Sequence, residues 1–391
     1  MPDGQHFSEL DCLIKNAIDQ NIFPGAVALI SYQGKIIYHK AFGHQTYESA
    51  SVPITTDTLF DIASLTKPIA TTTAAMLLYD KGLLDLNTPV CAYLPEFGSN
   101  GKEKICIKHL LTHTSGIDAG ANPFPSTCSW KEIRTKLMQQ SPLYPLEQRY
   151  IYSDLGFIIL QQVIEKITQT TLDDFCDKQI FKPLGMTNTS FNPRIHLVQK
   201  EYAPTMTLQP PLEKIAGVVN DPKAFFMGGV AGHAGLFSTA QDLAGFMDIM
   251  LHFGSYQTNN GIARQFIQPT TIAYWTKQQC SFNRGYGWEL GRHLSPNAFG
   301  HFGWTGTSIW ADRDKDLFCI ILTNRAYTND HAHTLPQMKQ FRIAFHDCIG
   351  AFAKHCSKQT KGQLRKSAIL HTLVEAVPST IRQESSLCCH H

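Results

Sequence analysis

Ser64-Leu65-Thr66-Lys67 sets a hydroxyl and an amine three residues apart. On a helix that spacing puts both on one face, close enough to hydrogen-bond. Such a pair can carry nucleophilic acyl transfer, in which the serine attacks a carbonyl and the lysine takes its proton. The free N–H groups of a helix start favour negative charge beside the serine. Lysine accepts a proton only as the free amine, so desolvation and nearby positive charge must lower its pKa from about 10.4. A capping serine and a solvated lysine at an exposed helix start give the same pattern.

Two further clusters carry complementary chemistry. Tyr152-Ser153-Asp154 precedes an apolar helix, and a phenol aimed at Ser64 can relay a proton to a leaving group. Asp154 is equally a candidate N-cap of that helix, and Tyr152 a core tyrosine at a strand end. His301-Phe302-Gly303 lies on a predicted edge strand, followed by Trp304. Glycine there lets a substrate backbone approach and pair. The N–H groups of Ser64 and Trp304 form a candidate oxyanion hole, worth about 3–4 kcal/mol per donor. His301 offers positive charge or a hydrogen bond near Tyr152; a satisfied strand histidine is the plainer alternative. Tyr327-Thr328-Asn329 and His233-Ala234-Gly235 repeat parts of these patterns, the second in a glycine-rich loop rather than a strand.

Elements must bring these clusters together. Residues 7–20 have helical amphipathy, and 24–43 give two apolar runs around Gln33-Gly34, a β-hairpin signature. Residues 64–81 predict a helix ended by Gly82, with Pro68 near its first turn. Residues 107–117 predict a short helix and a turn. Leu155, Ile158, Ile159, Val163 and Ile167 form one stripe over 155–169. Ser238 with Gln241 predicts a capping box, and the four glycines of 228–237 a tight or closely packed backbone. From about 286, YGWEL, HFGWTGTSIWAD and DLFCIILTNR predict consecutive antiparallel strands, followed by a helix over about 336–353. Strand-rich ends around a helical middle predict an α/β domain from 1–84 plus 286–355. A mainly helical domain over 85–285 is inserted, and 356–391 is a flexible tail. A site at the junction draws on both domains.

DIASLTKPIA, LLTHTSGI, YSD with its helix, FKPLGMTNTSF, GGVAGHAGLFSTAQDLAGFM and GHFGWTGTSIW follow in this order over about residues 10–350. Together they resemble the β-lactamase-related serine hydrolases: class C β-lactamases, low-molecular-mass penicillin-binding proteins, D,D-peptidases and esterases of one superfamily. The resemblance implies an α/β, β-lactamase/transpeptidase-like fold, an antiparallel sheet flanked by helices with an inserted mainly helical domain. It implies Ser64 as nucleophile, Lys67 as base, Tyr152 as the second-motif tyrosine and His301 with Gly303 as the third motif, with no cofactor and no metal. His301 stands where β-lactamases carry lysine, removing a permanent charge that would bind a carboxylate. Asp154 stands where they carry asparagine, leaving an acceptor-only group toward a substrate amide. Both departures favour a penicillin-binding-protein-like D,D-peptidase or related hydrolase over an efficient β-lactamase. A small-ester carboxylesterase is the enzymatic alternative, and a non-catalytic penicillin-sensing or binding protein the other.

Composition sets the outer bounds. Of 391 residues, 43% are hydrophobic, enough for a large core. A formal net charge of +2 without a basic run points away from nucleic acid. The resemblance implies a small-molecule or peptide substrate, an acyl amide or ester. No apolar run of about 18 residues predicts a membrane segment. MPDGQHFSELDCLIKNAIDQ lacks a basic n-region and an apolar h-region, so a cytoplasmic location is expected. A missing upstream signal would make it periplasmic or extracellular, where the family usually works. The eleven cysteines are scattered, without C-x-x-C, and are expected to be mostly reduced, buried small hydrophobes. Cys388-Cys389-His390-His391 is read as a disordered terminus rather than a metal site. No G-x-S-x-G elbow, H-E-x-x-H or phosphate loop occurs.

Overall fold

The computed structural model describes residues 4–119, 129–197, 200–206, 214–257, 261–291, 294–328 and 330–375. Two apolar runs at the start of the chain form strands β1 (Gly25–Tyr32) and β2 (Lys35–Gly43). Between them Gln33 and Gly34 have φ of 51° and 70°. Positive φ at both positions is what a type I′ hairpin turn needs. Four strands from the far end complete one antiparallel sheet: β3 (Glu289–Leu290), β4 (Phe299–Phe302), β5 (Ser308–Asp312) and β6 (Leu317–Thr323). The spatial order is β3-β4-β5-β6-β1-β2, with β1 joined to β6 from Ala26↔Thr323 to Tyr32↔Leu317. The central strands β1 and β6 are buried almost throughout, because helices cover both faces.

One face packs on helices α1 (Gly4–Asp19) and α6 (His331–Glu375), through Leu10, Ile14, Phe341 and Phe345. The other face joins a larger core that takes in α2 (Thr73–Asp80), α3 (Asp154–Thr168) and α5 (Ala240–Leu251). Among them, Ile158, Ile159 and Val163 of the predicted stripe are fully buried. Burial of such side chains contributes about 1.5–3 kcal/mol each.

Several local expectations are corrected. Residues 64–81 are not one α-helix: a 3₁₀ turn (Ala63–Leu65) leads into a π-helix (Lys67–Thr72) and then α2. Pro68 has no N–H to give, and the wider π spacing absorbs that loss, with Thr73 Oγ1 donating to the Pro68 carbonyl at 2.9 Å. Ser153, not Asp154, caps α3 by accepting from Gly156 N at 3.2 Å. Thr239, not Ser238, caps α5 by accepting from Asp242 N. Of the described cysteines only Cys176 and Cys319 are buried; Cys12 is exposed, five more are half-exposed, and all eight are unbridged. Cys128, Cys388 and Cys389 lie outside the described residues. α6 runs well past the predicted end near 353 to Glu375, and 376–391 lie outside the described residues. No described helix is long and apolar enough to cross a membrane.

Candidate active site

Ser64 is placed by the short strand Phe60–Asp61, which pairs with Leu236–Ser238 of the glycine-rich segment. Ala63 just before it has φ of +49°, a left-handed conformation that alanine adopts only when held there. Asp61 does the holding: Oδ1 accepts from Ala63 N at 2.8 Å and Oδ2 from Asn220 N at 2.7 Å. Burial pushes the Asp61 carboxyl up to about 6. Its folded pKa exceeds the unfolded one, so its contribution to stability falls as pH rises from about 4 to about 6. Asp61→Asn keeps the shape but presents an NH₂ to one of two buried N–H groups. The expected outcome is a loss of about 1–3 kcal/mol in denaturant unfolding at pH 7.

Lys67 is fully buried, one turn on. Its Nζ donates to Ser64 Oγ at 2.9 Å, Asp154 Oδ1 at 2.8 Å and the His233 carbonyl at 3.3 Å. Three acceptors use the three protons of an ammonium and leave no lone pair. Burial opposes the charge, but Asp154 and Tyr152 outweigh it and hold the Lys67 pKa above its ordinary value. This reverses the expectation of a lowered pKa: the positive neighbour that would lower it is absent from direct contact, and a carboxylate takes its place. The same contact engages Asp154, expected as a substrate-binding residue. Both its oxygens face ammonium groups, Lys67 at 2.8 Å and Lys223 at 3.3 Å.

Tyr152 reaches the same point, its ring centre 4.7 Å from Lys67 Nζ. Two histidines flank it, His113 with ring centres 4.6 Å apart and His301 at 5.9 Å. Both are held far below the usual imidazole pKa by burial, then by Arg284 and Lys67. His301 is therefore neutral, which removes the positive-charge option for it. Its Nδ1–H donates to the Phe302 carbonyl at 2.8 Å, so Nε2 keeps a lone pair, buried without a partner. His113 Nδ1 accepts from Ser153 N at 3.0 Å, fixing the chain between Tyr152 and Asp154. The fixed cation near Tyr152 is Arg284, 5.8 Å from its ring centre and 3.3 Å from Glu289.

β3 pairs only with Phe299 and Gly300 of β4 and stops short of His301, which is buried all the same. The chain itself packs closely on the face of Gly303 where a side chain would stand. A Cβ there would lie 2.0 Å from Thr307 Oγ1 and 2.6 Å from the carbonyl of Ile62, two residues before Ser64. Arg342 donates to the Gly303 carbonyl at 2.5 Å. In a trans peptide the Trp304 N–H points the opposite way, so Arg342 fixes the direction of that N–H. The Trp304 side chain is 42% exposed, and Arg325 holds its carbonyl at 2.6 Å and 2.9 Å. Buried donors aimed at one point can stabilise an oxyanion.

Ser64, Lys67, Asp154 and Tyr152 meet at one point with His301 against Tyr152, and four further residues join them. His233, a decoy by pattern, gives its carbonyl to Lys67; Lys223, His113 and Arg284 carried no signal beyond their residue types. The other decoy, Tyr327, donates to Glu48 instead, and Asn329 lies outside the described residues. A second S-x-x-K, Ser99 to Lys102, serves a turn, where Lys102 donates to the Gln140 carbonyl at 2.6 Å. Gly232 of the glycine-rich segment lies against α3, where a Cβ would meet the Phe157 carbonyl at 2.1 Å.

Comparison with known proteins identifies the family. The chain is 34% identical over 346 residues to "N-acetylmuramyl-L-alanine amidase" of Bacillus subtilis, covering 78% of each chain. It is 32% identical over 377 residues to "Putative D-alanyl-D-alanine carboxypeptidase" of Salmonella agona, covering 83% of this chain and 84% of that one. Among solved structures, the hydrolase EstCE1 superposes with a TM-score of 0.68 at 20% identity over 88% of this chain and 98% of its own, a likeness of fold alone. The family model named Beta-lactamase matches residues 10–341. An antiparallel sheet with a serine and a lysine at one helix start, and relatives of this kind over most of the length, place the chain in the β-lactamase family of serine hydrolases.

Proposed function

We propose that Ser64 is the nucleophile and that the enzyme hydrolyses amide bonds in cell-wall peptides, releasing D-alanine from peptides that end in D-Ala-D-Ala. The observation that carries this is Lys67, fully buried and within hydrogen-bonding distance of both Ser64 and Asp154. Once Lys67 has lost a proton, its amine takes the Ser64 proton as Oγ attacks the carbonyl. The N–H groups of Ser64 and Trp304 receive the oxyanion. Tyr152 passes a proton to the leaving amine, then helps a water release the acyl group. The named activities of the two relatives support an amide substrate.

A second reading, cleavage of the N-acetylmuramyl-L-alanine bond, is favoured by the neutrality of His301, which supplies no fixed charge for a terminal carboxylate. One substrate separates the two. N-acetylmuramyl peptide ending in D-Ala-D-Ala, followed by mass spectrometry, yields free D-alanine in the first case and the intact peptide in the second. If neither appears while p-nitrophenyl esters turn over rapidly, both readings fail and an esterase stands.

The Lys67–Asp154 pair also fixes a pH dependence. Lys67 must lose a proton before acylation, so kcat/KM should rise with pH into the alkaline range. Asp154 raises that pKa and burial lowers it. Asp154→Asn removes the first cause and keeps the second, so the acid limb should move to lower pH by about one unit or more. A kcat/KM profile with p-nitrophenyl acetate measures it.

A further inference from the structure

Lys223 has no part in the steps above, yet its ammonium sits 3.3 Å from Asp154 Oδ2 and 3.3 Å from Asp221 Oδ2. It lies in the first turn of α4 (Pro222–Phe226; Lys223 is its second residue), which Asp221 caps by accepting from Ala224 N at 2.9 Å. His233 Nε2–H donates to Asp221 Oδ1, the same oxygen that caps the helix, at 2.9 Å. The His233 carbonyl returns to Lys67 at 3.3 Å. Lys67, Asp154, Lys223, Asp221 and His233 therefore close a ring of contacts. The two ammoniums and two carboxylates sum to zero charge without any charge on His233.

We propose that Lys223 is a positioning residue for acylation: it shares Asp154 with Lys67, weakens the hold of Asp154 on the Lys67 proton, and lets the base form at lower pH. The proposal rests on the reading of Lys67 as the base. Two effects act in the same direction. The Lys223 charge repels a second charge on Lys67, and it takes part of the Asp154 field. The other groups facing Lys67 are Ser64 from its own segment, Tyr152 from the residues before α3, and the His233 carbonyl. His113 and His301 stand behind Tyr152, both neutral. Lys223 places a second ammonium directly on the carboxylate that Lys67 contacts, and His233 adds to the positive field on the same carboxylate.

The test is the pH profile of kcat/KM for p-nitrophenyl acetate on the full chain, with unfolding followed alongside. Lys223→Gln and Lys223→Met leave the two carboxylates and Lys67 with a net negative charge. Their acid limb should rise by about half a pH unit or more, with the alkaline plateau kept. Lys223→Arg keeps the charge and should keep the limb within about 0.3 unit of the parent. Loss of rate at every pH with an unmoved limb would mean a structural strut and would overturn the proposal. The Asp154→Asn profile separates the two levels. If Asp154→Asn shifts the limb down and the Lys223 variants leave it fixed, only the role of Lys223 fails. If Asp154→Asn leaves it fixed too, the reading of Lys67 as the base fails first. Should Lys223→Met not fold, Lys223→Gln, which keeps a hydrogen-bond donor to both carboxylates, carries the same comparison.

Discussion

Lys67→Ala is expected to lower the rate of Ser64 acylation about a thousand-fold, within the range seen when a positioned acid–base group is removed. The reason is local. Ser64 Oγ accepts a hydrogen bond from Lys67 at 2.9 Å, and no other basic side chain touches it among the described residues. Water in the space left by the side chain is a poor base and is not oriented by Asp154. The fold should survive the change. Asp154 keeps Lys223 at 3.3 Å, so its carboxylate is not left as an unpaired buried charge. The informative result is thus a folded protein, with unfolding close to the parent, that acylates slowly when mixed with a fluorescent penicillin. A folded Lys67→Ala protein that acylates at the parental rate would remove lysine from the chemistry.

Tyr152→Phe is the second large effect, expected to cost about a hundred-fold in acylation by a poor leaving group. The phenol lies beside Lys67 and between two neutral imidazoles, His113 and His301. Neither imidazole can replace a proton donor at the leaving amine: both are held neutral, and the one N–H of His301 is committed to the Phe302 carbonyl. Packing should be preserved, because phenylalanine keeps the ring that packs against His113. The loss should depend on the leaving group. An amide, whose amine must be protonated, should suffer far more than p-nitrophenyl acetate, whose phenolate leaves unaided. Parallel kcat/KM measurements on a peptide and on the ester test this. Equal losses on both substrates would show that the hydroxyl orients Lys67 instead of donating a proton.

The sequence made the frame readable where local chemistry decides it. Gln33-Gly34 between two apolar runs is a hairpin by turn geometry alone, and it forms. The strands from 286 onward follow from β-branched and aromatic alternation, although only Glu289–Leu290 of the first of them pairs. The order of the short motifs also led to the right family. The site's electrostatics were not readable. Ser153 and Asp154 are both good caps, and only the fold decides that Ser153 takes the helix start, which frees Asp154 for Lys67. Lys223 reaches Asp154 across 69 positions, a pairing that no local spacing encodes. His233 failed the pattern test for a third motif, and its contribution comes through a backbone carbonyl, which every residue has. The π-helix at Lys67–Thr72 escaped for a related reason: Pro68 signals a lost hydrogen bond, but not which wider spacing will absorb it.

Peptide mapping by mass spectrometry after exposure to a β-lactam examines the convergence of these side chains at one hydroxyl most directly. A single acyl adduct on the peptide that contains Ser64, missing from Ser64→Ala and formed slowly in Lys67→Ala, is the expected result. An adduct carried by any other residue, or one that persists in Ser64→Ala, contradicts it.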